Sequence, residues 1–130
     1  MLRIVEFKKE AGERLRGLFP QVAEWQESLD ATVGDQTVDV LVRFRMGQGQ
    51  ETKTLICEIR SRGEPRYLRE AITRLRELRP HLPGAYPIVA APYVTAQSAT
   101  LVRRNNCGYL DLAGNCYLAF DNVLDRKSVV

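Results

Sequence analysis

Histidine is almost missing from this sequence and cysteine is sparse, with one His and three Cys in 130 residues. Cys57, Cys107 and Cys116 are odd in number and far apart, and His81 stands in a loop between Pro80 and Pro83. With no CxxC pair and no Cys/His cluster, a structural zinc site and a disulfide framework are both excluded. Cys57 lies inside an apolar run and reads as a small core residue. No apolar stretch approaches the roughly 20 residues of a membrane span, and the N-terminal residues lack the basic head and apolar block of a signal peptide. The expectation is a cytoplasmic protein without a membrane partner. Internal repeats, low-complexity tracts and linkers are also missing, so residues 1–130 are read as one domain, long enough to bury a core without staples. A strong charge excess is lacking too: 19 Lys and Arg against 16 Asp and Glu leave +3. That balance permits contact with nucleic acid without demanding it.

What the chain does contain is periodicity. Residues 5–19 carry Phe7, Ala11, Leu15, Leu18 and Phe19 at helical spacing, and Pro20 ends the helix. Residues 21–29 place Ala23, Trp25 and Leu29 in near-alternation, which fits a strand and also a short helix; the strand is preferred because turn-rich residues 32–35 follow. Residues 37–44 and 53–60 are apolar strands joined by the glycine-rich loop 45–51, a hairpin pattern. Gly63 and Pro65 interrupt the chain, and residues 65–78 form an amphipathic helix with Leu68, Ala71, Ile72, Leu75 and Leu78 inward. Residues 86–91 read as a buried strand parallel to 53–60, because strand, helix, strand order calls for a crossover. Thr95 is an N-cap for a helix over 96–104. The turn at 113–115 joins residues 108–112 and 116–120 in a second hairpin. The edge of the sheet at Cys116–Phe120 is a candidate for pairing with a second copy in a homodimer.

Charged residues interrupt two of the apolar strands. Asp39 sits within 37–44, and Glu58 and Arg60 lie two positions apart on one face of 53–60, together with Ile56. A strand with both faces buried does not carry an acid and a base without cause. If the hairpin closes symmetrically, Phe44 faces Lys53 or Arg45 faces Thr54, and Asp39 then lies opposite Glu58 or Arg60. Directly opposed residues share a face with Cβ atoms about 5 Å apart, whereas a one-residue slip would send Asp39 to the other face.

The order helix, strand, strand, strand, helix, strand over residues 5–92 resembles the PD-(D/E)XK superfamily, the restriction-endonuclease-like fold. Asp39 matches its first acid, Glu58 the acid of the (D/E)xK triplet, and Arg60 stands where lysine is usual; Val38 replaces the usual proline. The resemblance implies an α/β fold, with a central mixed sheet in α-β-β-β-α-β order flanked by helices and followed here by a helix and a β-hairpin. It also implies a Mg²⁺ or Mn²⁺ site formed by Asp39, Glu58 and the Ile59 carbonyl, with Glu10 or Glu13 of the first helix as a further ligand. Oxygen-rich sites of this kind suit Mg²⁺ and the hydrolysis of phosphodiesters in DNA. Arginine at 60 is always protonated and holds phosphate without accepting a proton, so the alternative is a catalytically silent DNA-binding or protein-interaction module. Residues 108–115 are similar to a segment of bacterial proteins in which a nuclease-like domain precedes a winged helix, some of them labelled as antitoxins of abortive-infection systems. This implies a bacterial DNA-associated role and an adjacent winged-helix domain after Val130.

Each feature has a plainer reading beside it. Asp39, Glu58 and Arg60 also suit an ion-pair network within the sheet. Arg62 and Arg66 are candidates for a phosphate-guiding rim or for a solvated surface. Asp111 and Asn115 are candidates for contact with DNA, although such residues more often shape a tight turn. Glu10 and Glu13 also read as surface charges. Trp25, Tyr67, Tyr86 and Tyr93 suit base stacking or an interior role.

Overall fold

A computed structural model describes residues 3–20, 22–45, 51–120 and 123–127. The elements through β6 follow the expected order, and a further strand, β7, comes after them: α1 (Ile4–Gly17), β1 (Glu24–Val33), β2 (Gln36–Arg45), β3 (Thr52–Ile59), α2 (Pro65–Leu78), β4 (Tyr86–Ala91), α3 (Ala96–Arg104), β5 (Gly108–Asp111), β6 (Cys116–Phe120) and β7 (Val123–Lys127). The seven strands form one sheet in chain order. The β3–β4 and β4–β5 pairs are parallel and the other neighbours antiparallel, so the sheet is mixed.

Two crossovers, β3-α2-β4 and β4-α3-β5, step across the sheet in the same direction. Crossovers of one hand then put both helices on one face. Leu68, Ala71, Ile72 and Leu75 of α2 and Val102 of α3 pack there with Leu41, Ile56, Val89 and Ala91. On the opposite face Phe7, Ala11 and Leu15 of α1 pack on Val40, Val42, Leu55, Cys57, Ile88 and Ala90. Sandwiched in this way, β4 buries Ile88, Val89, Ala90 and Ala91 completely, which explains its unbroken apolar run. Thr95 caps α3 as its sequence position predicts, its hydroxyl accepting the Ser98 N–H at 3.2 Å.

Two expectations need correction. The first strand runs on to Val33, because that side chain is buried in the α2 face and the turn needs only Gly34 and Asp35, with Gly34 in the left-handed region at φ 63°. Cys116–Phe120 is not a sheet edge: β7 pairs with β6 and covers it, leaving β1 and β7 outermost. The glycine-rich residues 46–50 lie outside the described residues. Trp25, on β1, joins an aromatic cluster with Phe19 and Phe44, at ring separations of 5.9 and 5.4 Å, and Arg16 lies over its ring.

The loops after β3 and β4 are locked together. Buried Ser98 donates to the Gly63 carbonyl at 2.6 Å, and the backbone of Gly63 lies so close to Tyr93 that a Cβ would overlap the Tyr93 carbonyl oxygen. Behind them, Asp111 is buried at the end of β5 and its carboxylate collects four donors: Val94 N–H at 2.9 Å, Ala113 N–H at 3.0 Å, and the Asn115 backbone and amide N–H groups at 2.9 Å each. One acid therefore folds the β5–β6 turn and ties it to the β4–α3 loop. Urea unfolding should show Gly63→Ala losing about 2 kcal/mol or more, since backbone cannot yield as a flexible side chain does. Asp111→Ala should lose roughly 3 kcal/mol by stranding buried donors; a loss under about 0.5 kcal/mol would show that the turn forms without it.

Candidate active site

The register of β2 on β3 sets Phe44 opposite Lys53 and Val40 opposite Cys57. One further step puts Asp39 opposite Glu58, yet the ladder does not continue there. Val40 and Val42 face α1 whereas Val38 faces α2, so the alternation of β2 breaks between residues 38 and 40. Across from it, Leu29 and Ala31 of β1 likewise turn to different faces, the β1–β2 pairing passes from Leu29–Val40 to Ala31–Val38, and Asp30 between them is left-handed at φ 52°. Both strands swap sides at Asp30 and Asp39, a bulge-like irregularity.

At the break, side chains take the place of strand partners. The Asp39 N–H donates to Glu58 Oε2 at 3.1 Å, and the Ile59 N–H donates to Asp39 Oδ2 at 2.8 Å. Each of the two carboxylates thus bonds a backbone N–H of the opposite strand. They do not stand side by side on one face as simple alternation predicts. Asp39 is met from the α1 side by Lys8, at 3.4 Å, and Glu58 from the α2 side by Arg74, at 3.7 Å. Arg74 also donates to Gln36 Oε1 at 2.7 Å and to the Thr37 carbonyl at 2.5 Å, pinning the start of β2.

Arg60 follows directly after β3. Its backbone N–H continues the parallel pairing by donating to the Ala90 carbonyl, and its guanidinium Nη1 turns back to the Ile59 carbonyl at 2.8 Å, 3.6 Å from Glu58 Oε1. Asp39, Glu58, Ile59 and Arg60 are therefore brought together. Sequence reasoning missed Lys8, Asp30 and Arg74; they lie on other elements, and no local pattern singles them out.

The remaining candidates lie apart from this cluster. Glu10 pairs with Arg14 at 2.9 Å, and Arg14 reaches the Asp111 carbonyl at 3.4 Å. Glu13 is exposed on α1, and among the described residues neither glutamate bonds Asp39, Glu58 or Arg60. Asp111 and Asn115 are committed to their turn. Arg62 and Arg66 both lie against the Tyr67 ring, at 5.3 and 5.4 Å from its centroid, and Arg62 pairs with Glu64. Tyr86 is half-buried and its hydroxyl accepts the Ala119 N–H, whereas Tyr93 is 55% exposed.

The charges have a clear direction. Burial, and after it the negative charge of Asp39, raises the Glu58 carboxyl above the usual glutamate range, outweighing the Asp39 N–H, Arg60 and Arg74. Burial raises the Cys57 thiol well above its ordinary value, and the two carboxylates add to this, so Cys57 remains a neutral core group. Among the described residues no three His, Cys, Asp or Glu side chains form a metal cluster. The donor set for a metal is two carboxylates and the Ile59 carbonyl, all hard oxygens, and it suits Mg²⁺ or Mn²⁺ in kind.

No family profile and no curated protein matches the sequence. Among solved structures the chain is similar to a repair endonuclease from Pyrococcus abyssi, with a TM-score of 0.54 and 17% identity over 79% of this chain and 46% of that one. It is also similar to EndoMS in its apo form, with a TM-score of 0.49 and 16% identity over 81% of this chain and 45% of that one. The first likeness shows a shared fold, a mixed sheet flanked by helices. The chain spans less than half the length of either protein.

A carboxyl raised in the folded state binds its proton more readily than in the unfolded chain. Its charge therefore costs stability above the folded-state pKa, and the cost vanishes as pH falls below the ordinary carboxylate range. Glu58→Gln should accordingly melt above wild type at about pH 8 and converge with it near pH 4. A lower melting temperature for the variant at pH 8 would contradict the burial account.

Proposed function

We propose that the chain is a divalent-metal-dependent nuclease domain that hydrolyses phosphodiester bonds in DNA. The observation carrying this reading is the exchange where the β2–β3 ladder stops: Glu58 accepts the Asp39 N–H, Asp39 accepts the Ile59 N–H, and Arg60 donates to the Ile59 carbonyl. Asp39, Glu58 and the Ile59 carbonyl would hold Mg²⁺ or Mn²⁺, which when bound supplies Lewis-acid polarisation of a phosphate and a water of lowered pKa. The fold shared with a repair endonuclease supports DNA as the substrate.

The chain's own residues do the rest. Arg60, 22% exposed and tethered by its neighbour's carbonyl, presents donors to the non-bridging oxygens of a phosphate and stabilises the charge that develops on them. It accepts no proton, so base catalysis falls to other groups. Arg74 fixes the buried Glu58 from behind, and the Asp39 N–H orients its carboxylate. Arg62 and Arg66, spread on Tyr67, extend positive charge beyond the triplet along the path of a backbone.

A second reading is a catalytically silent nuclease-like module that binds DNA or another protein, beside a winged-helix domain beyond Val130 or as a homodimer. It is favoured by the way Lys8, Arg60 and Arg74 neutralise the acids without any ion. Plasmid nicking separates the two. With Mg²⁺ or Mn²⁺ the wild type should relax supercoiled DNA, Asp39→Ala should lose at least about a hundredfold in rate, and Arg60→Lys should retain cleavage. Turnover unchanged in Asp39→Ala sinks the site assignment. Salt-sensitive DNA binding with no cleavage under either ion supports the silent module.

A further inference from the structure

The side chain of Lys8 leaves the buried stripe of α1 and runs to the break in the sheet, where its ammonium lies between two carboxylates. It is 2.6 Å from Asp30 Oδ1 and 3.4 Å from Asp39 Oδ1. The lysine is 15% exposed, so this position is enclosed by the fold. The two acids differ. Asp39 is 23% exposed and already accepts the Ile59 N–H, whereas Asp30 is 62% exposed and stands on left-handed backbone. Aspartate is among the few residues that tolerate that conformation, and here it aims the carboxylate at Lys8.

A divalent cation on Asp39 and the Lys8 ammonium repel each other at such short range, and they require the same Oδ1 lone pairs. Asp30, close by and largely solvated, offers the lysine a second berth. We propose that Lys8 and Asp30 form a latch on the metal site. Lys8 neutralises Asp39 while no ion is bound and withdraws wholly to Asp30 when a divalent cation takes Asp39, so the pair sets the ion affinity of the site. This rests on reading Asp39 and Glu58 as metal-binding carboxylates. It goes further by giving Lys8 and Asp30 a shared task that opposes binding through one and eases it through the other.

The test is Mn²⁺ binding to the intact chain, followed by calorimetry and by the electron paramagnetic resonance of free Mn²⁺, with no nucleic acid present. Lys8→Met, and Lys8→Gln as a second variant in case the first folds poorly, should bind Mn²⁺ about tenfold more tightly than wild type. Asp30→Asn, which keeps a residue tolerant of left-handed backbone, should bind less tightly because Lys8 then has only Asp39. In the Lys8→Met background, Asp30→Asn should change affinity by less than about twofold, since Asp30 acts through the lysine. Equal weakening by Asp30→Asn in both backgrounds would reveal a plain charge effect and overturn the latch. The latch is equally overturned if neither lysine variant binds more tightly, or if no variant binds Mn²⁺ at all. A chain that binds Mn²⁺ in the expected pattern but cuts no DNA would keep the latch and reject the proposed catalysis.

Discussion

Two backbone N–H groups, those of Asp39 and Ile59, are bonded by carboxylates of the opposite strand where a regular ladder would supply carbonyls. Much of the structure around the site follows from this exchange. Inside a sheet an unbonded N–H costs about 1–3 kcal/mol, so strands part only where something else accepts their hydrogen bonds. Asp39 and Glu58 fill that role, and in doing so they open β2 and β3 at the end that faces Arg60. The same carboxylates that hold the strands together are the oxygen donors of the candidate site, which makes their structural and chemical roles inseparable.

The charges around the opening come from both layers of helix. Lys8 arrives from α1 and Arg74 from α2, while Arg60 directly follows β3. Three acids, Asp30, Asp39 and Glu58, meet three cations, Lys8, Arg60 and Arg74. The site is therefore balanced within the protein, and a bound cation must displace or rearrange one of its partners. Burial nevertheless keeps the Glu58 carboxyl raised.

Rigidity on the other side of the opening comes from hydrogen bonds and close backbone packing. Ser98, Gly63 and Tyr93 bind the loops after β3 and β4 to each other, and Asp111 ties the β5–β6 turn to the same place. Arg60 leaves β3 just before this packed junction, so its guanidinium is directed from a backbone with little freedom. Asp111 follows the plainer of its two readings. A candidate for contact with DNA that more often shapes a tight turn, it has a carboxylate buried and bonded by four donors of its own chain.

The sequence by itself determined most of the elements and their order, and it narrowed the hairpin register to two choices. Helical spacing in residues 65–78, the Thr95 cap and the unbroken run at 86–91 are local signals that tertiary contacts did not override. Of the two registers, the one with Phe44 opposite Lys53 is the one that forms, and it brings Asp39 towards Glu58 instead of Arg60. Tertiary structure alone decided the rest. The side-swap at Asp30 and Asp39 depends on left-handed backbone that no pattern announces, and Lys8 and Arg74 reach the acids from helices that lie well away along the chain. β7 escaped detection because pairing with β6, rather than its own apolar content, makes it a strand. Periodicity reports which way a side chain leaves its own element; which charge it meets depends on how separate elements pack.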